Sequence, residues 1–402
     1  MKRFCGRFGL GRRNGRDRRG FTLLELLVGA AVSSIVLVAI CAVFISVNQA
    51  FVSQGQITTT VGDARTATSF LERILRLAGY GIDPRFAFDF SDAEESKDNV
   101  LVEDVVPAAY TDDLVFRYRD PMYLRRGQLD ASGNLKLEGS TFGIALRAGQ
   151  PVIVACVGAQ TFFVTKTSAS ASATDNQVAL VSYATGAGSF PPVSFSPLPS
   201  CMKQQKDTAP YVMLMYDLRI RVVPLGLPAR PFLVAFHDLA SADPTENANF
   251  DPIAADVDSF QVAYFMNRPP PGVCTGTPVD GSNGNWILGD NTSDATKLPD
   301  DAVSAPLYTT DYTDCLRFNN HPGNIRFVRI TMSLRSPQRA AGERDDFKLE
   351  TLENNVIDDP KADGFYRTVI STTVRVPNMA ARSFFLPPLS NGTSDDLNAS
   401  GG

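Results

Sequence analysis

Residues 21–47 form one apolar run, FTLLELLVGAAVSSIVLVAICAVFISV, in which Glu25 is the only charged residue. Roughly 20 apolar residues cross a bilayer as a helix, and this run is long enough. The helical period continues beyond it. Val47, Phe51, Ile57, Val61, Ala64, Ala67, Leu71, Ile74, Leu75 and Ala78 recur mostly at spacings of three and four, with Asp63, Arg65, Glu72, Arg73 and Arg76 largely off that face. Gly55 and Gly62 each weaken a helix by about 1 kcal/mol relative to Ala and mark bending points. Gly79, Gly81 and Pro84 end the pattern. One helix over about 21–78 is therefore predicted, roughly 87 Å long at the α-helical rise. Its first half is apolar all round. Its second half carries one apolar stripe that must be covered, and a β-sheet of the same chain is the nearest partner.

From residue 81 the period changes to two, and β-branched and aromatic residues become frequent. Strands are predicted at 100–106, 114–119, 123–126, 135–138, 151–156, 161–165, 178–183, 211–223, 232–236, 259–266, 325–334 and 366–376. Residues 130–134, DASGN, read as a hairpin turn. The Pro-rich stretches at 191–199 and 269–271 are stiff loops, and 269–323, rich in Pro, Gly and Asn, is the expected insertion. The last residues, 390–402, have the composition of a disordered tail. The fold class is thus α+β: a long N-terminal helix packed on an antiparallel, β-rich globular domain. The expected segments are 1–20, 21–47, 48–80, 81–389 and 390–402.

Charge separates the N-terminus from the rest. Residues 1–20 carry eight Lys or Arg and one acid, whereas 21–402 carry 30 basic and 42 acidic residues. The basic end stays in the cytoplasm under the positive-inside rule, which sends the rest of the chain across the membrane. The acidic remainder offers no general attraction to nucleic acid. No small-residue cleavage site follows the apolar run, so a secretory signal is disfavoured. Ile40, just before Cys41, is wrong for a lipoprotein signal. A plain signal anchor remains as an alternative, but it gives no reason for Glu25, an expensive charge so near the start of an apolar run.

The stretch Arg18-Arg19-Gly20-Phe21-Thr22-Leu23-Leu24-Glu25-Leu26-Leu27-Val28 resembles the class III signal of type IV prepilins. The resemblance implies cleavage by a membrane peptidase after Gly20, N-methylation of the new N-terminal Phe21, and a retained carboxylate at Glu25. It gives residues 1–20 the role of a cleaved leader. Glu25 and the Phe21 amine are both costly in a low-dielectric bundle unless paired. Pairing between neighbouring subunits would set the register of an assembly; the other reading is that Glu25 only snorkels to the interface.

A second likeness narrows the family. Residues 58–84, TTTVGDARTATSFLERILRLAGYGIDP, resemble the segment after the membrane helix in PilW-type minor pilins. Softer matches follow in order at 111–118, 257–264, 328–336 and 366–378. The leader is longer and more basic than the family pattern, and the insertion departs from it. The resemblance implies a pilin-like fold and a minor pilin of a type IV pilus that primes assembly, placed at the tip with a tip adhesin. Its implied partners are other minor pilins, the major pilin, the prepilin peptidase and the inner-membrane assembly platform. It implies a single-pass inner-membrane protein that later enters a periplasmic and cell-surface pilus, with adhesion and twitching motility as the settings. A minor pseudopilin of a type II secretion system is the alternative.

Of six cysteines, Cys5 leaves with the leader and Cys41 lies in the apolar run. Cys156, Cys201, Cys274 and Cys315 remain in the exported part, where oxidation is favoured. Four cysteines allow three connectivities, of which Cys156–Cys201 with Cys274–Cys315 is the simplest. Each such loop would contribute about 3–4 kcal/mol in the chain-entropy picture. Nothing points to an enzyme or a cofactor. His237 and His321 are isolated, and no zinc, P-loop or serine-hydrolase motif occurs. Residues 280–294, DGSNGNWILGDNTSD, are rich in oxygen ligands, and a Ca²⁺ loop is conceivable there. They lack EF-hand spacing, so a solvated loop is the expectation. Asp112-Asp113 and Asp300-Asp301 read as solvated turns.

Overall fold

The computed structural model describes residues 22–82, 87–89, 111–129, 134–155, 162–180, 211–226, 230–237, 250–266, 287–288, 323, 325–339, 352–353 and 363–380. The first element is helix α1, Leu23–Leu75. The chain divides into two compact units, Met1–Gly55 and Gln56–Gly402. In the first, the helix exposes apolar residues on every side, as its composition requires. In the second, the stripe is buried: Ala64, Ala67, Leu71, Leu75 and Ala78 are at most 1% exposed. Thr60 and Thr68 lie on the same buried face. Their hydroxyls donate to the carbonyls of Gln56 and Ala64, at 2.9 and 2.8 Å, which makes them acceptable there. The stripe runs no further toward the N-terminus, since Val47 and Phe51 are exposed.

Residues 76–80 leave the helix in turns, and Gly79 and Gly81 adopt φ of 75° and 64°. A Cβ on Gly79 would also meet the Met379 sulfur at 2.6 Å, so this position needs glycine twice over. The turns after the helix, and its last turn, are tied to the far end of the sequence. Asn378 Nδ2 donates to the carbonyls of Arg76 and Ala78, and Thr372 Oγ1 to Glu72 Oε1 at 2.7 Å. Asn378 lies in the short helix α2, Pro377–Ala380.

The strands are β1 Phe88–Asp89, β2 Leu114–Arg119, β3 Arg125–Leu129, β4 Leu135–Leu137, β5 Pro151–Ala155, β6 Phe162–Lys166 and β7 Gln177–Val178. They continue with β8 Tyr211–Leu225, β9 Arg230–Phe236, β10 Phe250–Ala255, β11 Val257–Met266, β12 Ile287–Leu288, β13 Ile325–Arg335 and β14 Arg367–Arg375. Among the described residues every pairing is antiparallel, in one ten-stranded and one four-stranded sheet. The 15-residue β8 is the hub of the larger sheet: its first half pairs β3 and β5, its second β2 and β9. The smaller sheet has the order β12-β11-β13-β14. A shared core joins the helix stripe to Phe116 and Ile220 of the larger sheet and Phe260, Val328 and Ile330 of the smaller.

The chain passes between sheets at one residue. β10 ends at Ala255 and β11 begins at Val257, and Asp256 between them has φ 58°. An aspartate tolerates that left-handed backbone better than most residues. Its carboxylate is held by the Arg230 guanidinium. The expected strand at 100–106 lies outside the described residues. The strands at 250–255 and 88–89 were not legible by pattern: the first carries Asp251 and Pro252, the second is two residues long.

The solvated-turn reading of Asp112-Asp113 is wrong for this fold. Asp113 is buried, with Arg219 Nε at 2.8 Å and Arg221 Nε at 3.3 Å. Asp112 accepts from the Val262 amide at 2.8 Å and so ties the start of β2 to β11. Beside them, Arg117 and Asp217 are cross-strand partners that form a buried ion pair.

Another buried group, Asp258 on β11, faces Arg367 at 2.8 Å and Arg335 at 3.4 Å. Burial pushes its carboxyl from 3.8 up to about 6, against the pull of Arg367 and Arg335. The folded state therefore holds a proton there that the unfolded chain has already released between those two values. This group's contribution favours folding below pH 3.8 and is lost as pH rises through about 6. Asp258→Asn mimics the protonated form. Chemical unfolding of the full chain in detergent should show the mutant gaining stability relative to wild type between about pH 4 and 7. Parallel curves for the two proteins would contradict this.

Candidate assembly segment

Thr22 and Glu25 build a capping box at the start of α1. The Thr22 backbone N–H and hydroxyl both donate to Glu25 Oε2 at 3.0 Å, and Thr22 Oγ1 accepts from the Glu25 amide at 3.2 Å. The first helical bond, Leu26 N–H to the Thr22 carbonyl, is 3.2 Å. Two of the orphan N–H groups at the helix start are thereby satisfied. The acid also sits where the helix dipole favours negative charge. Among the described residues, the hydrogen bonds to the Glu25 carboxylate fall on Oε2. The sequence signal for this box was Thr-x-x-Glu ahead of an apolar run, which was read only as part of a processing motif.

Gly20 and Phe21 lie outside the described residues, as do Cys156, Cys201, Cys274 and Cys315. So do 280–294 apart from the short β12, and with them Trp286 and any Ca²⁺ ligands. Cys41 is a free, exposed thiol on α1. His237, the residue after β9, pairs with Asp251 of β10 at 2.8 Å. Among the described residues no group of three or more His, Cys, Asp or Glu is placed to hold a metal ion.

The helix is long and apolar enough to cross a membrane, and its most apolar window is wholly exposed. Leu23, Leu24, Phe44 and Phe51 are each more than 70% exposed. Such a surface is stable only in lipid or against other apolar helices. Among the described residues the segment offers an apolar surface for insertion and lateral packing, the Glu25 carboxylate near its start and the Cys41 thiol.

Comparison with known proteins agrees with these features. Residues 15–40 match the prokaryotic N-terminal methylation motif. Residues 234–378, from the end of β9 to α2, match type IV pilus-assembly protein W. Among solved structures, a type IV-like pilin from Thermus thermophilus is similar at 12% identity and a TM-score of 0.19, over 58% of this chain and 86% of that one. No curated protein matches. The methylation motif lies across the start of the apolar helix, and the PilW match covers the sheet packed against the helix's far half. The chain thus carries the N-terminal methylation motif of type IV pilin-like proteins at 15–40 and resembles PilW over 234–378.

Proposed function

We propose that this protein is a minor pilin that takes part in starting a type IV pilus and sits at its tip, with other minor pilins and a tip adhesin. The supporting observation is the joint presence of the methylation motif on an exposed apolar helix and a PilW match on the sheet that receives that helix's amphipathic end. In this reading the prepilin peptidase removes residues 1–20, and the helix waits in the inner membrane with its start on the cytoplasmic side. The assembly platform then moves it into the filament. The protein acts as a structural subunit, and its chemistry is confined to the Phe21 amine and Glu25. The capping box uses Oε2, so in this reading a neighbour's amine takes Oε1 and the box is kept.

A minor pseudopilin of a type II secretion system remains the second reading, because the same leader and helix serve both machines. Immunogold labelling of filaments with an antibody to the globular unit tests the first. Label at filament ends, with the protein co-purifying with pilins, supports it. Recovery only with secretion-system components would replace it by the second.

The four exported cysteines are proposed to be disulfide-bonded. Thiol alkylation of the native exported protein should then label them only after reduction. Ready labelling of all four in the native state would reject the pairing.

A further inference from the structure

Among the described residues, β14 is an unprotected sheet edge. It pairs with β13 over nine consecutive residues without a register shift, and among the described residues it has no strand on its other side. The phase of the ladder tells which main-chain groups are left over. Val376 N–H donates to the Arg326 carbonyl and Ser336 N–H to the Tyr366 carbonyl, so the even-numbered residues of β14 face β13. The N–H and C=O groups of Val369, Ser371 and Thr373 therefore point away from the sheet. All three residues are exposed.

The other edges among the described strands are handled differently. β1, β7 and β12 are two residues long. β6 has five residues and ends on Lys166. β10 carries Asp251 and Pro252, and its register shifts between Pro252 and Ala254. Short length, charge, proline and bulges are the usual means of keeping an edge from pairing. β14, RTVISTTVR, has none of them between its terminal arginines and is rich in β-formers.

We propose that the β14 edge receives an extended segment of a different protein subunit, which joins the four-stranded sheet as an antiparallel fifth strand. The charges favour another protein over a second copy. β14 carries no acid, so a second copy of this edge has nothing to set against the exposed Arg375. Arg375 is exposed and lies opposite Phe327, itself 40% exposed, so a carboxylate on the incoming strand would complete that row. Small or β-branched residues fit opposite Thr373 and Ser371, and an apolar one opposite Val369, which is 41% exposed. Main-chain bonds to Val369, Ser371 and Thr373 would supply most of the affinity, and this row of side chains the choice of partner.

The inference rests on reading this chain as one subunit among others, and the test separates the two. A photo-cross-linking residue is placed at Val369 or at Thr373 of the full-length protein in cells that assemble it. The expected result is capture of another polypeptide at two sites about four residues apart on one segment, in reversed order, as an antiparallel strand requires. Ser371→Pro removes an outward N–H and leaves the β13 ladder intact. It should lower capture by about ten-fold or more while the melting temperature stays near wild type. Arg375→Glu, which has no role in the ladder, should also lower it. Capture of a second copy, captured sites without the strand spacing, or capture unchanged in both variants would overturn the proposal. If the chain is recovered with pilins yet neither position captures anything, the edge proposal alone fails. If the chain is never recovered with other subunits, the reading under it fails.

Discussion

Glu25→Gln is expected to leave processing and membrane insertion intact and to lower the share of the protein found in assembled complexes by about ten-fold or more, the scale on which losing one partner of a buried ion pair acts. Removing a charge makes insertion of the lone helix easier. In a packed bundle the same change strands a neighbour's amine, so membrane level and assembly should move apart. The capping box supplies a control. Glutamine at this position can still accept from Thr22, whereas alanine cannot. If the carboxylate charge matters, Glu25→Gln and Glu25→Ala will be equally defective. If only the helix start matters, Glu25→Ala alone will be. The readout is the ratio of protein in sheared filaments or cross-linked complexes to protein in membranes. An unchanged ratio for both variants would leave Glu25 as a cap and nothing more.

The second large effect is expected inside the globular unit. Arg117 and Asp217 have side chains 1% and 2% exposed and face each other across β2 and β8. Arg117→Met leaves the Asp217 carboxylate buried without its partner, which should cost about 3–5 kcal/mol of stability. Replacing both, Arg117→Met with Asp217→Leu, removes the stranded charge and should recover most of that loss. Urea unfolding of the full chain in detergent, followed through the globular unit, measures both. A single mutant as stable as wild type, or a double mutant no better than the single, would contradict this account of the pair.

Much of the architecture is visible in the residue pattern because period and burial coincide there. The stripe Ala64, Ala67, Leu71, Leu75 is both periodic and buried, and β2, β8, β13 and β14 fall where β-branched runs occur. The misses have physical causes. Asp113, Arg117, Asp217 and Arg219 look like surface residues because charge is normally solvated, and only the fold brings residues about a hundred apart into pairs. β10 is hidden by a proline and a bulge, which an edge strand tolerates. The helix ends near 75 rather than 78 because the Leu77 and Ala78 amides tighten onto the carbonyls of Ile74 and Leu75 before Gly79 turns the chain. The N-terminal methylation motif was legible from Gly20 to Val28. Its local geometry, with Glu25 satisfied by its own helix start, was also written in Thr-x-x-Glu but was masked by the stronger processing signal.

The central claim is that residues 1–20 are a leader and that the working chain begins at Phe21. Mass spectrometry of the N-terminal peptide of the protein isolated from its own membranes tests it most directly. The account gives an N-methylated Phe21 as the first residue, and an intact leader when Gly20 is replaced by a bulky residue. A native chain that begins at Met1, or one cut beyond residue 40, would contradict it.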